Sequence, residues 1–421
     1  MNRASIAAIT VAGCFGEGPV PPTAADAPVV FVAPTPGASD VCDHSVYITS
    51  LAFGSDSGFA ALYPYNPQNG NCNGGAVAGI QVDVRQFPID GTNPTGKVVG
   101  NAGMASQQIP PPELAIGPMG PFAIFDTPGS PIGSMNAILP GGTPQSLQSG
   151  QVAYLTGVSA GVSGGFVATI TTSMNQDPVS PAYPSGNGTN TGTPPQVMST
   201  IYPLAFDGNT ISLGSGANAS ALTPGELASA IVTNSTSVFY VVSSPGQFTI
   251  ESVTGGVGST IGTASQGGAL VPVGLAADDD HVAWAFAQNA ENFPLQLGCQ
   301  IYATSLATGS GTGSNAPNAP LFASQDLSCM GLAIDPQAVY FAMVETDSLP
   351  SCDGCEPVLH GVGIGRVDFH GMFSSIAVDV QAAASGPRRI FTSPADPDDI
   401  FVLDPLVVAK ISKLSFGDAL H

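Results

Sequence analysis

Few residues in this chain have the chemistry for catalysis or metal binding. Seven cysteines and five histidines are present. Cys352-x-x-Cys355, with His360 five residues on, has the spacing of half a metal or redox site. A zinc centre takes four ligands, and no second Cys-x-x-Cys follows, so a small disulfide ring within one loop is the expected arrangement. Gly-x-Ser-x-Gly occurs twice, overlapping, around Ser159 and Ser163. A nucleophile elbow needs a helix straight after the serine, whereas the β-rich run Phe166 to Ile170 follows here, so both serines read as turn residues. Asp278-Asp279-Asp280-His281 resembles a cation cluster but sits where a hairpin turn is expected. The Asp-x-Asp-x-Asp-Gly calcium loop is absent. Paired carboxylates for glycoside hydrolysis would have to come from separate parts of the chain. No catalytic residue, metal site or cofactor is assigned, with calcium on the acidic surface as the open alternative, and the expectation leans towards a protein that is not an enzyme.

The six cysteines after Cys14 are an even number, which in an exported chain favours disulfides. Cys42 and Cys72 lie 30 residues apart, as do Cys299 and Cys329. With Cys42 and Cys329 ahead of inner strands and Cys72 and Cys299 ahead of third strands, both pairs are expected as bonds near one face, and Cys352–Cys355 as the third. Charge excludes other partners. Eight Lys and Arg stand against 30 Asp and Glu, a net charge of −22, and no basic residue lies between Lys97 and Arg366. Nucleic acid needs clustered cations, and so does binding of anionic headgroups by the domain surface. Neither is expected.

The elements that would position these groups are short β runs bounded by Gly, Pro, Asp and Asn. Gly331-Leu332-Ala333-Ile334-Asp335 leads through a turn into Val339 to Val344, then a polar loop, Gly361 to Phe369 and a fourth run at Ser374 to Gln381. Other stretches repeat its first half. Gly274 to Asp278 precedes Val282-Ala283-Trp284, Ala230 to Asn234 precedes Val238-Phe239-Tyr240, and Glu113 to Gly117 precedes Pro121-Phe122-Ala123. Looser copies begin at Ser50, Val152 and Arg389. The shared Asp or Asn is a turn residue, because its side chain bonds its own backbone. Repeats of this kind predict an all-β, seven-bladed β-propeller of four-stranded antiparallel blades, with eight blades as the alternative. The lone run Val29 to Val32 is expected to pair with Val407 to Phe416, joining the termini in the last blade. The long second-to-third-strand loops, 173–196, 289–297 and 345–360, then gather on one face. Long loops on a rigid scaffold are where binding usually lives, so Tyr183, Phe293, Glu345, Asp347, Asp353, Glu356 and His360 are the candidate ligand-face residues.

Gly331 to Ala342 and Gly274 to Ala285 resemble the Gly-Leu-Ala-x-Asp…Val-Tyr-Trp propeller repeats of predicted myxobacterial-type bacterial lipoproteins, which are loosely akin to NHL and YWTD propellers. This is a packing signature and implies a fold rather than a chemistry. Met1-Asn2-Arg3, an apolar stretch and Val11-Ala12-Gly13-Cys14 read as a secretory signal and resemble a lipobox. That resemblance implies cleavage before Cys14 and lipidation of Cys14. The expected organisation is a signal peptide over 1–13, a Pro-rich tether over 14–27 and the propeller over 28–421. The function expected is that of an exported, lipid-anchored, monomeric binding or scaffolding module of the cell envelope, at the outer membrane or in the periplasm, recognising an envelope protein or glycan. The alternatives are a secreted form and an extracellular propeller lyase or hydrolase acting at the channel mouth.

Overall fold

The Leu-Ala pair of each repeat explains how the chain is layered. Successive side chains of a strand point to opposite faces. Leu51, Leu114, Leu275 and Leu332 therefore pack on the preceding sheet, while Ala52, Ala115, Ala276 and Ala333 face the following one. Each buried apolar cluster lies between two neighbouring sheets. The computed structural model describes residues 27–33, 45–65, 80–105, 113–126, 135–138, 145–147, 153–161, 164–172, 197–207, 210–214, 220–221, 227–244, 247–254, 257–265, 270–288, 297–306, 319–325, 327–346, 359–378, 389–404 and 406–416.

In chain order, β1 is Val29–Val32, and β2 to β5 (Ser45–Phe53, Ser57–Tyr65, Ile80–Pro88, Lys97–Ala105) form the next sheet. Strands β6 to β9 (Glu113–Gly117, Gly120–Asp126, Met135–Ile138, Gln145–Ser146) form another. Then come β10 to β14 (Ala153–Gly161, Gly164–Thr172, Val197–Asp207, Thr210–Leu213, Ser220–Ala221) and β15 to β18 (Leu227–Thr233, Ser237–Ser244, Gln247–Thr254, Val257–Ser265). After β19 to β22 (Leu270–Ala277, His281–Gln288, Leu297–Ser305, Phe322–Ser324) follow β23 to β26 (Leu327–Ile334, Ala338–Thr346, Leu359–Asp368, Phe373–Val378). Last are β27 to β29 (Arg389–Ser393, Asp396–Asp404, Val407–Ser412) and a 3-10 turn, Lys413–Phe416. The described strands thus make antiparallel meanders whose first strands, β2, β6, β10, β15, β19, β23 and β27, stand side by side in a ring, with β27 back against β2. This is a β-propeller.

The expectation of seven four-stranded blades needs correcting. Among the described residues, four-stranded blades number six, not seven; the remaining sheet, β10–β14, has five strands. Its β12 pairs with β13 over Leu204–Asp207 and with β14 at Thr200 and Ile201, so its outer edge is covered in two pieces. Gly214 extends the β12–β13 pairing by a bond to the Pro203 carbonyl. Sequence reading missed the divided edge because the repeat motif sits on the inner hairpins and carries no information about outer edges.

The ring closes as expected through β1. Its Val29, Phe31 and Val32 pair with Ala409, Val408 and Val407 of β29, giving the order β1-β29-β28-β27. Phe31 is fully buried and stacks on Phe87 of the next sheet at 4.8 Å. Burial of one such ring contributes roughly 1.5–3 kcal/mol, so the terminal strand is held by packing as well as by its ladder.

Cys299 and Cys329 form a disulfide with Cα atoms 5.3 Å apart. The pairing agrees with expectation and the position does not. Both residues lie inside strands, β21 and β23, rather than ahead of them, so the bond staples two neighbouring sheets through their buried interface. Constraining a loop of 30 residues is worth about 2–4 kcal/mol. Replacing both cysteines with alanine is therefore expected to lower unfolding stability by about that amount, read as a lower urea midpoint.

Candidate functional site

The inner strands carry a recurrent irregularity. In β2, β10, β15, β19 and β23 the register with the next strand shifts at one residue: Thr49, Thr156, Ser229, Val273 and Gly331. Gly331 takes φ +64° there, a left-handed conformation that glycine adopts without strain. Such bulges twist the strand and free a carbonyl. Strands β6 and β27 begin at this level, with Glu113 and Arg389 as their first residues. In the repeat register these two and Ser50 occupy the place filled by Gly157, Ala230, Gly274 and Gly331 in the other inner strands. They come from consecutive sheets, β27, β2 and β6, so three polar side chains stand together on one arc of the ring and small residues complete it.

The three are bonded to one another. The buried Ser50 hydroxyl donates to Glu113 Oε2 at 3.1 Å and accepts the Leu114 N–H at 3.1 Å, tying β6 to β2. Arg389 reaches across β2, donating from Nη1 to the carbonyl of the bulged Thr49 at 3.4 Å and to Glu113 Oε2 at 3.5 Å. Its Nη2 donates to Glu113 Oε1 at 3.5 Å. The Arg389 side chain is 42% exposed and that of Glu113 22%. The group lies at the end of the ring where the fourth-to-first and second-to-third strand connections run. Arg389 and Glu113 follow directly on the connections 379–388 and 106–112.

The other end of the ring is made of turns. Asp335 Oδ1 accepts the N–H groups of Gln337 and Ala338, and Asp278 Oδ1 those of Asp280 and His281. Asn234 Oδ1 accepts those of Thr236 and Ser237. The shared acid is a turn residue, as the repeats imply. Neighbouring turns are tied together: the Asp279 carboxylate accepts the Ser235 N–H at 3.0 Å. Bonds from Ser235 hold the Asp279 carboxyl below the ordinary carboxylate range. His281 stacks on Phe369 of the next sheet at 3.8 Å. Ser159 lies on β10 within a hairpin and shares a 2.9 Å bond with Thr233, so no nucleophile elbow forms there. Among the described residues, no three His, Cys, Asp or Glu side chains come together as a metal site.

One buried network at this end is electrostatic. Lys413 Nζ lies 2.6 Å from Asp335 Oδ2, which also accepts the Tyr340 hydroxyl at 3.0 Å. Burial, and then the Asp335 charge, push the Tyr340 phenol well above its ordinary value, while the buried Arg366 guanidinium beside it pulls the other way. Lys410 bridges Asp396 and Asp399 at 3.1 and 2.9 Å. Lys413 thus ties the last sheet to the one before it, while Lys410 works within the last sheet.

Comparison with known proteins leaves the chain without an assigned family: no family profile and no curated protein sequence matches it. Solved structures similar to it include acylaminoacyl peptidase from Pyrococcus horikoshii, with a TM-score of 0.47 and 10% identity over 87% of this chain and 52% of that one. The β-propeller domain of the Trilobed protease from Pyrococcus furiosus aligns with a TM-score of 0.44 and 9% identity over 87% of this chain and 96% of that one. Trypanosoma rangeli sialidase gives 0.44 and 9% over 92% and 58%. The chain spans about half the length of the peptidase.

Most of the residues singled out from sequence fall outside this picture. Cys14, Cys42, Cys72, Cys352, Cys355, Tyr183, Phe293, Asp347, Asp353 and Glu356 lie outside the described residues. Glu345 and His360 are placed on β24 and β25, where Glu345 pairs with Gly361 and His360 sits in the register shift beside it. Sequence reading missed Glu113, Ser50 and Arg389 as a group. The signal was present, since all three stand at a repeat position where the other units have Gly or Ala.

Proposed function

We propose that this propeller is an exported, lipid-anchored, non-catalytic binding or scaffolding module of the bacterial cell envelope. It meets an envelope protein or glycan with the loop-bearing end of its ring. The observation that carries the reading is the Arg389–Glu113–Ser50 group. Among the described residues at that level of the ring, the Glu113 carboxylate accepts the Ser50 hydroxyl and lies beside the Arg389 guanidinium. General acid–base catalysis needs a group free to accept or give a proton within hydrogen-bond reach of substrate, and glycoside hydrolysis needs two such acids. A salt-bridged Glu113 beside Ser50 suits recognition better than either. The export and anchor rest on the stretch from Met1 to Cys14.

Two measurements test the proposal. Cells fed an alkyne fatty acid are expected to label the wild-type protein and not Cys14→Ser; an unlabelled wild type found wholly in the soluble fraction removes the anchor. Photo-cross-linking residues placed at Tyr183 or Glu356 are expected to yield adducts in intact cells, while one at Gln337, on the opposite turns, yields none. Adducts from position 337 alone would overturn the assignment of the binding face.

A further inference from the structure

Arg389 is used differently from the other cations of this region. Lys410 and Lys413 make contacts of 2.6–3.1 Å to carboxylates, and Arg366 is buried against Tyr340. The hydrogen bonds of Arg389 to described residues are all of 3.4–3.5 Å, whereas a charge-assisted bond between guanidinium and carboxylate closes to about 2.7–2.9 Å. Its planar fork faces Glu113 but does not grip it. The Arg389 side chain is 42% exposed and stands on the loop-bearing arc. The equivalent positions on the rest of the ring carry only Gly157, Ala230, Gly274 and Gly331, so no bulky side chain at those positions competes for the space.

We infer that Arg389 is the receptor for a carboxylate group of the ligand, with Glu113 as an internal carboxylate that occupies the guanidinium loosely while the site is empty. The ligand carboxylate forms the short two-point fork that Glu113 does not. The Thr49 carbonyl and the Ser50 hydroxyl hold the two partners in place: Thr49 accepts from Nη1, and Ser50 keeps the Glu113 carboxylate to one side. A net charge of −22 repels free anions from the surface at large, so selectivity for a carboxylate at this point depends on the local guanidinium. This inference rests on the binding-module reading and adds the chemistry of the ligand.

The test uses the full-length protein and two sources of the same group, acetate and the tripeptide-like N-acetyl-glycylglycine, with the C-terminal amide of the latter as control. Titrations are run calorimetrically at one ionic strength. Removing the internal competitor by Glu113→Gln is expected to tighten binding of the carboxylate probe about tenfold, the equivalent of ~1.4 kcal/mol. Arg389→Gln is expected to abolish binding, and Arg389→Lys, which keeps the charge without the fork, to weaken it. Binding of the acid peptide with neither acetate nor the amide points to a peptide terminus; equal binding of acetate points to a small organic acid. Unchanged or weaker affinity in Glu113→Gln, or no carboxylate binding by that variant, overturns the inference even if Arg389→Gln does not fold. The cross-links from positions 183 and 356 are read independently, so loss of the carboxylate site alone leaves the binding-face reading standing.

Discussion

Replacing Phe341 with alanine is expected to lower the stability of the propeller by about 3–5 kcal/mol, the cost of a fully buried ring removed with its cavity left open. Phe341 lies among Ile334, Val339, Val367 and the Cys299–Cys329 staple, with its ring 5.5 Å from that of Phe322 and 6.2 Å from that of Phe373. The cavity cannot be filled from across the ladder, because the residue directly opposite is Gly365. That glycine exists to make room for the ring: a Cβ built on it would stand 2.3 Å from Phe341 Cζ. Gly365→Ala alone is therefore destabilising by overpacking, by about 1–3 kcal/mol. In the Phe341→Ala background the same change is expected to cost much less, since the clash has gone. A double-mutant cycle in urea measures this, with a coupling above about 1 kcal/mol as the expected result; additive effects would mean that ring and glycine do not share the space. Gly58 and Phe87 form the same pair with the strands exchanged, a Cβ on Gly58 falling 2.3 Å from the Phe87 ring.

Asp335→Ala is expected to be nearly as costly, about 3 kcal/mol, because it takes the carboxylate from a half-buried ion pair together with the acceptor of a buried phenol. One oxygen of Asp335 builds the turn by accepting the N–H groups of Gln337 and Ala338 at 2.8 and 2.9 Å. The other receives Tyr340 and Lys413, whose ammonium also lies 5.5 Å from the centre of the Tyr340 ring. Alanine removes the turn acceptor and the acceptor of the Tyr340 hydroxyl, while Lys413 keeps its bond to the Pro397 carbonyl. Asp335→Asn keeps an oxygen for the turn and loses the ion pair, so thermal melting should place it between wild type and alanine. Equal melting of the two variants would show that the ion pair, and not the turn, accounts for the stability. The network also predicts a pH response. The Tyr340 phenol is raised in the folded protein, so its contribution is complete below the ordinary tyrosine value near pH 10 and is lost as pH rises above it. Absorbance at 295 nm should show one tyrosine titrating after the others, and in Asp335→Asn that tyrosine should titrate earlier.

The hairpins and their turns were legible in the residues because their causes are local. A Leu-Ala pair followed by Asp specifies two faces and a side-chain-capped turn within about ten residues, and Gly331, Gly274 and Ala230 announce copies of one unit. The closing strand was legible for a related reason: Val29 to Val32 is an apolar run with no hairpin partner beside it, and an unpaired strand must find an edge. Outer strands carry no such signal. The splitting of the edge of β12 between β13 and β14 depends on what covers each stretch of backbone, and tertiary packing alone decided it. The same holds for the disulfide, where spacing named the partners Cys299 and Cys329 but only the interface between β21 and β23 placed them inside strands. The candidate site lies furthest from local sequence. The residues that meet there are separated by up to 340 positions, between Thr49 and Arg389, and nothing local says which departures from Gly or Ala at that repeat position will come together. They become a group because the ring brings β27, β2 and β6 side by side, the Thr49 carbonyl at the bulge accepts from Arg389, and small residues occupy the equivalent positions on the remaining strands. Local propensity determines what each blade is; closure of the ring determines which blades' exceptions meet.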